Sequence, residues 1–138
     1  MLMEDLIDNV ADYIISKIDA VGEDTIFSDL PSSPDKAVLI EQTGGPVGHF
    51  IYSYDTPRLR ILVRGEKHDS IAPANTAYKI YDLLHGWHGG KLMDDGVYIH
   101  RIEGVQSAPI KVGPDDNNRH RYSINLDFEV HGESQNRE

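Results

Sequence analysis

Between Arg119 and His131 every second residue is large and apolar: Tyr122, Ile124, Leu126, Phe128 and Val130 alternate with Ser123, Asn125, Asp127 and Glu129. Successive side chains of an extended strand point to opposite faces, so this stretch reads as a strand with one buried and one solvated face. A strand of this kind needs partner strands beside it and a second layer over its apolar side. The rest of the chain has to supply both.

The covering layer is predicted from two stretches with helical spacing. Met3, Leu6, Ile7, Val10, Ile14, Ile18 and Val21 fall on one face of a helix over residues 3–21, with Glu4, Asp5 and Asp8 at its start, where the helix dipole favours acids, and Gly22 as its stop. A second helix is predicted over residues 70–86, with Ser70 as N-cap, Pro73 in the first turn, Ala74, Ala77, Ile80, Tyr81 and Leu84 turned inward, and Gly86 at its end.

Further strands are expected at Lys36 to Glu41, Arg58 to Arg64 and Val97 to Val105. In the second of these, Leu59, Ile61 and Val63 share the buried face, and Arg58, Arg60, Leu62 and Arg64 the other. Gly113-Pro114-Asp115-Asp116-Asn117-Asn118 is a turn signal that reads as joining strands 97–105 and 119–131 in one long hairpin. Residues 23–35, with Pro31 and Pro34, read as an extended link, residues 42–57 as a Gly-rich loop, and residues 132–138 as a frayed tail. The expected class is therefore α+β: a mostly antiparallel sheet with two helices packed on one face, in a single domain.

Composition narrows the chemistry. At 138 residues the chain suits one core, and 39% apolar against 26% charged residues makes that core modest, so a partner subunit is expected to contribute. There is no cysteine, which excludes disulfides, thiolate metal sites and thiol nucleophiles. No basic leader or long apolar run is present, so neither export nor membrane insertion is expected. The net charge is −10, and residues 1–35 hold nine acids and one base while the remainder holds fourteen acids and twelve bases. A sequence pI of about 5.0 argues against tight wrapping of nucleic acid, because phosphate binding is driven by cations.

The candidate catalytic and metal motifs are weak. His85 and His88 frame a Gly-rich turn and, with Asp94 or Asp95, are the residues a small metal-dependent hydrolase would use, yet there is no His-Glu-x-x-His pattern. Asp115-Asp116-Asn117 resembles the start of a calcium loop, but Arg119 and Leu126 occupy positions that need oxygen ligands. Gly44-Gly45-Pro46-Val47-Gly48 is followed by no Gly-Lys-Ser/Thr. No catalytic residue, cofactor or metal is expected. Arg58, Arg60 and Arg64 share one strand face and Arg119 and Arg121 another, which suits ion pairing within the sheet or across an interface; Trp87 is either core or an interface anchor.

Several segments, taken in order, resemble the phage minor capsid and tail-terminator family. They are Ile26-Phe27-Ser28-Asp29-Leu30-Pro31 with Ser33-Pro34-Asp35, the Gly44-Gly45-Pro46 loop, Leu59-Arg60-Ile61-Leu62-Val63-Arg64-Gly65, Ala77-Tyr78-Lys79-Ile80-Tyr81-Asp82-Leu83-Leu84-His85-Gly86 and the strand Arg121 to Val130. The resemblance implies a structural virion protein of the tail or neck, assembled in the host cytoplasm, that is not an enzyme. It implies a ring, a hexamer, on the head-proximal end of the tail tube, with the tube protein and head-tail connector proteins as partners and DNA passing through without sequence-specific binding. A connector or stopper role is the neighbouring alternative.

On that resemblance, the candidate interface residues are Arg58, Arg60, Arg64, Trp87, Asp115, Asp116 and Arg119. The edge expected to join subunits is Lys36 to Glu41 or Arg58 to Arg64, and acids of the Asp115-Asp116 loop or the first helix are expected to face the channel.

Overall fold

The computed structural model describes residues 3–27, 29–44, 54–94 and 96–131. Three sequence expectations lie wholly or largely outside them: the Gly45 to Gly48 part of the Gly-rich loop, Asp95, and the tail 132–138.

In chain order the elements are helix α1 (Met3–Lys17), strands β1 (Ile26–Phe27), β2 (Ala37–Gln42), β3 (Tyr54–Asp55) and β4 (Arg58–Lys67), helix α2 (Ile71–Leu84), and strands β5 (His88–Lys91), β6 (Tyr98–Gly104), β7 (Ile110–Pro114) and β8 (Arg119–His131). The strands form one sheet in the order β1-β2-β4-β8-β6-β5, with β3 and β7 each paired to β8. Only β1 and β2 run parallel; every other pair is antiparallel. The fold is α+β.

Strand β8 organises the sheet. Along one edge it pairs with β4, from Arg121 against Arg64 to Asp127 against Arg58, and beyond that with β3. Along the other edge its first half pairs with β7 and its second half with β6. The expected single hairpin between 97–105 and 119–131 is thus corrected. The turn at 115–118 joins β7 to β8, and β6 reaches β8 only after a loop at 105–109.

The core lies on one face of the sheet. Val38 and Ile40 of β2, Leu59, Ile61 and Val63 of β4, and Tyr122, Ile124, Leu126, Phe128 and Val130 of β8 form it together with Leu6, Val10 and Ile14 of α1 and Ala77, Ile80 and Leu84 of α2. Both helices therefore cover the same face. Their apolar stripes match the alternating strand positions, so burial there drives the two layers together, at roughly 25 cal/mol per Å² of apolar surface removed from water.

Helix ends depart from the sequence expectation. Helix α1 stops at Lys17, and its apolar spacing continues through a turn in which Ile14 O accepts from Ile18 N and Ile18 O from Val21 N, keeping both side chains buried. The N-terminus of α2 is capped by Asp69, whose Oδ1 accepts the N–H groups of Ile71 and Ala72 at 3.0 and 3.1 Å; the Ser70 side chain makes no such bond. At its other end, His85 turns to extended backbone and Gly86 takes φ +87°, a conformation that glycine adopts without a Cβ clash.

Two close approaches fix the layers. A Cβ on Gly65 of β4 would lie 2.6 Å from Cγ of Pro73 in α2, and a Cβ on Gly104 of β6 would lie 2.6 Å from the Tyr81 hydroxyl. Glycine at these points lets the helix sit directly on the sheet.

Candidate interface residues

The arginines that the sequence assigns to two strand faces and to ion pairing fall into three environments. Arg58 donates Nε to Asp127 Oδ1 at 2.6 Å and Nη2 to Oδ2 at 3.1 Å, a two-pronged bond across β4 and β8. That hydrogen bond, offset in part by burial and reinforced by the charge of Asp127, raises the Arg58 pKa above its ordinary value. Arg60 pairs with Glu41 across β2 and β4. Both cations are therefore neutralised within the sheet, as their row positions allow.

Arg64 is not on the surface. It is 2% exposed, and it donates Nε to Asp35 O at 2.7 Å and Nη2 to Pro34 O at 2.8 Å. Beside it Arg119, also buried, donates Nη1 to Ser32 O at 2.6 Å and Nε to Asp115 Oδ2 at 2.8 Å. Burial first, and then the neighbouring charge of Arg119, hold the Arg64 pKa below its usual range. Planar guanidinium groups with several donors suit this task, since each can satisfy carbonyls of an irregular segment that has no strand partner. The two side chains pin residues 32–35, which hold the cis Ser33-Pro34 bond, against β4 and β8. Arg64 and Arg119 are thus removed from the set of free interface groups.

Asp115 completes this cluster. Its Oδ1 accepts the backbone N–H of Asn117 at 2.9 Å and of Arg119 at 3.0 Å, closing the β7–β8 turn. Burial alone would raise its pKa, but those two N–H bonds and the Arg119 guanidinium outweigh it and hold the carboxyl below the usual range. Asp115 is thus paired within its own chain, whereas Asp116 next to it is exposed and makes no ion pair among the described residues.

Trp87 is half-buried against the core, with its ring edge-on to Tyr13 of α1 at 5.7 Å. Its indole Nε1 is buried without an acceptor among the described residues. Of the two readings, packing between α1 and the strand that follows α2 is the one the geometry supports. His85 stacks on Tyr81, and its Nδ1 accepts the backbone N–H of Gly104 at 2.8 Å. It is a strut between α2 and β6. Among the described residues no three His, Asp or Glu side chains converge to hold a metal ion, and no helix is long and apolar enough to cross a membrane.

The predicted joining edges also change. Strand β4 lies between β2 and β8, and β2 is flanked by β1 at Val38 and Leu39, so β4 is internal and β2 is partly covered. Among the described residues the open rims are β1 and the part of β2 beyond it at one end of the strand order, and β5 and β7 beyond β8 at the other. Sequence reasoning missed β1, β3, β5 and β7 as strands. The Val112-Gly113-Pro114 boundary of β7 was hidden because the same residues signal a turn.

What remains free is mostly acidic. Glu4, Asp5, Asp8 and Asp12 form an exposed stripe on α1, and Asp19, Glu23, Asp24 and Asp29 are exposed around β1, all without an ion pair among the described residues. These charges, together with the open rims, are the surfaces left for other molecules.

The family model described as bacteriophage tail terminator protein matches residues 13–131, from the middle of α1 to the end of β8. No curated protein matches the chain.

Proposed function

Since the chain belongs to the bacteriophage tail terminator family, a family of structural proteins of the phage tail, we propose that it caps the head-proximal end of the tail tube as a ring, a hexamer, and joins the tail to the head. The family match over residues 13–131 carries this reading. The open sheet rims support it: a head-to-tail contact between unlike rims repeats around a closing axis, and closure removes the exposed edges that would otherwise recruit stray strands.

The ring acts by shape and charge. Glu4, Asp5, Asp8 and Asp12 on α1, with Asp116, face the channel and repel passing DNA, so that the duplex slides through without being held. The tail tube end and the head connector are its partners.

The test is electron microscopy of particles produced without this protein. Tubes of irregular length, or finished tails that do not attach to full heads, support the proposal. Tails of normal length joined to heads in its absence would overturn it.

A further inference from the structure

Among the described residues, six large apolar side chains are exposed, and five of them, Ile71, Tyr78, Val105, Ile110 and Val112, belong to α2 or to the segment 105–112. Two hydrogen bonds link α2 to the surroundings of that segment. Tyr122, the register partner of Lys111 on β7, donates its hydroxyl to Ser70 O at the start of α2, and Tyr81 further along α2 donates to Gln106 O. Of the exposed apolar residues, Ile110 and Val112 lie on β7 itself and Val105 in the loop that leads to it.

Among the described residues strand β7 pairs only with β8, so the backbone groups of its outer side have no ladder partner there. Lys111 at the middle of this rim is exposed and, among the described residues, has no carboxylate partner, while Arg121 beside it reaches the carbonyls of Gly113 and Pro114. Gln106 Oε1, in the loop leading into β7, is buried without a donor among the described residues. The rim thus carries exposed apolar side chains and a free lysine at its middle, with Asp116 in the turn at its end, on a molecule that carries −10 overall.

At the other end of the strand order lies β1, two residues long and paired on one side only. Glu23 and Asp24 precede it and Asp29 follows it, all exposed and unpaired among the described residues. The middle of one rim therefore holds a free lysine, and free acids flank the other.

We infer that the β7 rim of one copy receives the β1 rim of a second copy, with Lys111 facing the acids that flank β1. Two β7 rims meeting each other would set Lys111 against Lys111, whereas unlike rims match in charge and extend the sheet from subunit to subunit. Such a contact is heterologous, so it repeats rather than ending at a dimer. This assignment rests on the ring reading above and names the surface that makes it.

Charge reversal tests the inference on the full chain, with assembly followed by native mass spectrometry and sedimentation. Lys111→Glu and Asp24→Lys each raise the concentration needed for assembly roughly tenfold, and the double variant, which restores opposite charges across the contact, returns to within about threefold of the unaltered protein. Circular dichroism melts of all three variants match the unaltered protein, because both residues are exposed. If the unaltered protein forms rings and both single variants do so at the same concentration, the rim assignment is overturned while the ring stands. If the unaltered protein forms no ring, alone or on purified tail tubes, the ring and the assignment fall together.

Discussion

Asp115 shows how a single side chain in a turn governs a wider region. It closes the β7–β8 turn and holds Arg119, which in turn holds Ser32. Asp115→Ala should lower stability by roughly 1–3 kcal/mol, read from urea unfolding at neutral pH. The pH dependence has a definite sign. The folded carboxyl titrates below its ordinary value, so its stabilisation is whole above about pH 4, where an unfolded Asp ionises, and fades as pH falls through the lower folded value. Asp115→Asn should remove that acid limb, giving urea midpoints that vary less between about pH 2 and about pH 5 than those of the unaltered protein. Arg64→Lys should also cost roughly 1–3 kcal/mol, since one ammonium cannot reproduce the planar two-carbonyl bond. Neither arginine's burial was legible in the sequence. On an alternating strand Arg64 reads as solvent-facing, and the acceptors that bury it lie about thirty residues upstream in a segment with no periodic signal of its own. Arg58 and Arg60 were legible as ion-pairing groups because their partners, Asp127 and Glu41, sit in the facing register positions of adjacent strands.

At the level of elements, what could be read ahead was what carries a local period. Strands β4 and β8 and helices α1 and α2 each repeat their apolar residues at the spacing of their own geometry, so their existence follows from a dozen residues at a time. Strands β1 and β3 are two residues long and β5 is four with two glycines, so none specifies itself; each exists because a neighbouring strand offers a ladder. Packing between layers gives a sharper expectation. Gly65→Ala places a methyl group against the Pro73 ring and should destabilise by about 1–3 kcal/mol in thermal or urea unfolding, whereas an alanine at the exposed Gln42 should change little. Asp69→Ala uncaps α2 and should cost about 1 kcal/mol, while Ser70→Ala, at the position that the sequence alone marks as the cap, should be close to neutral.

For the molecule as a whole, the proposed contact between Lys111 and the acids beside β1 would make assembly sensitive to ionic strength. Raising salt from about 0.1 M to about 1 M shortens the screening length from roughly 10 Å to roughly 3 Å, so rings held by Lys111 and the β1 acids should require more protein to form, measured by sedimentation across the series. Reversing Glu4, Asp8 and Asp12 to lysine should leave ring formation in place and slow DNA release from intact particles, since the proposed rim contact uses none of the three. A different consequence follows from the position of β8 in the chain. Every strand it binds, β3, β4, β6 and β7, precedes it in the order of synthesis. As the polypeptide emerges from the ribosome, those segments must wait with their inner faces wet until the last of them has a template, so the sheet closes in one late, cooperative step through contacts distant in sequence.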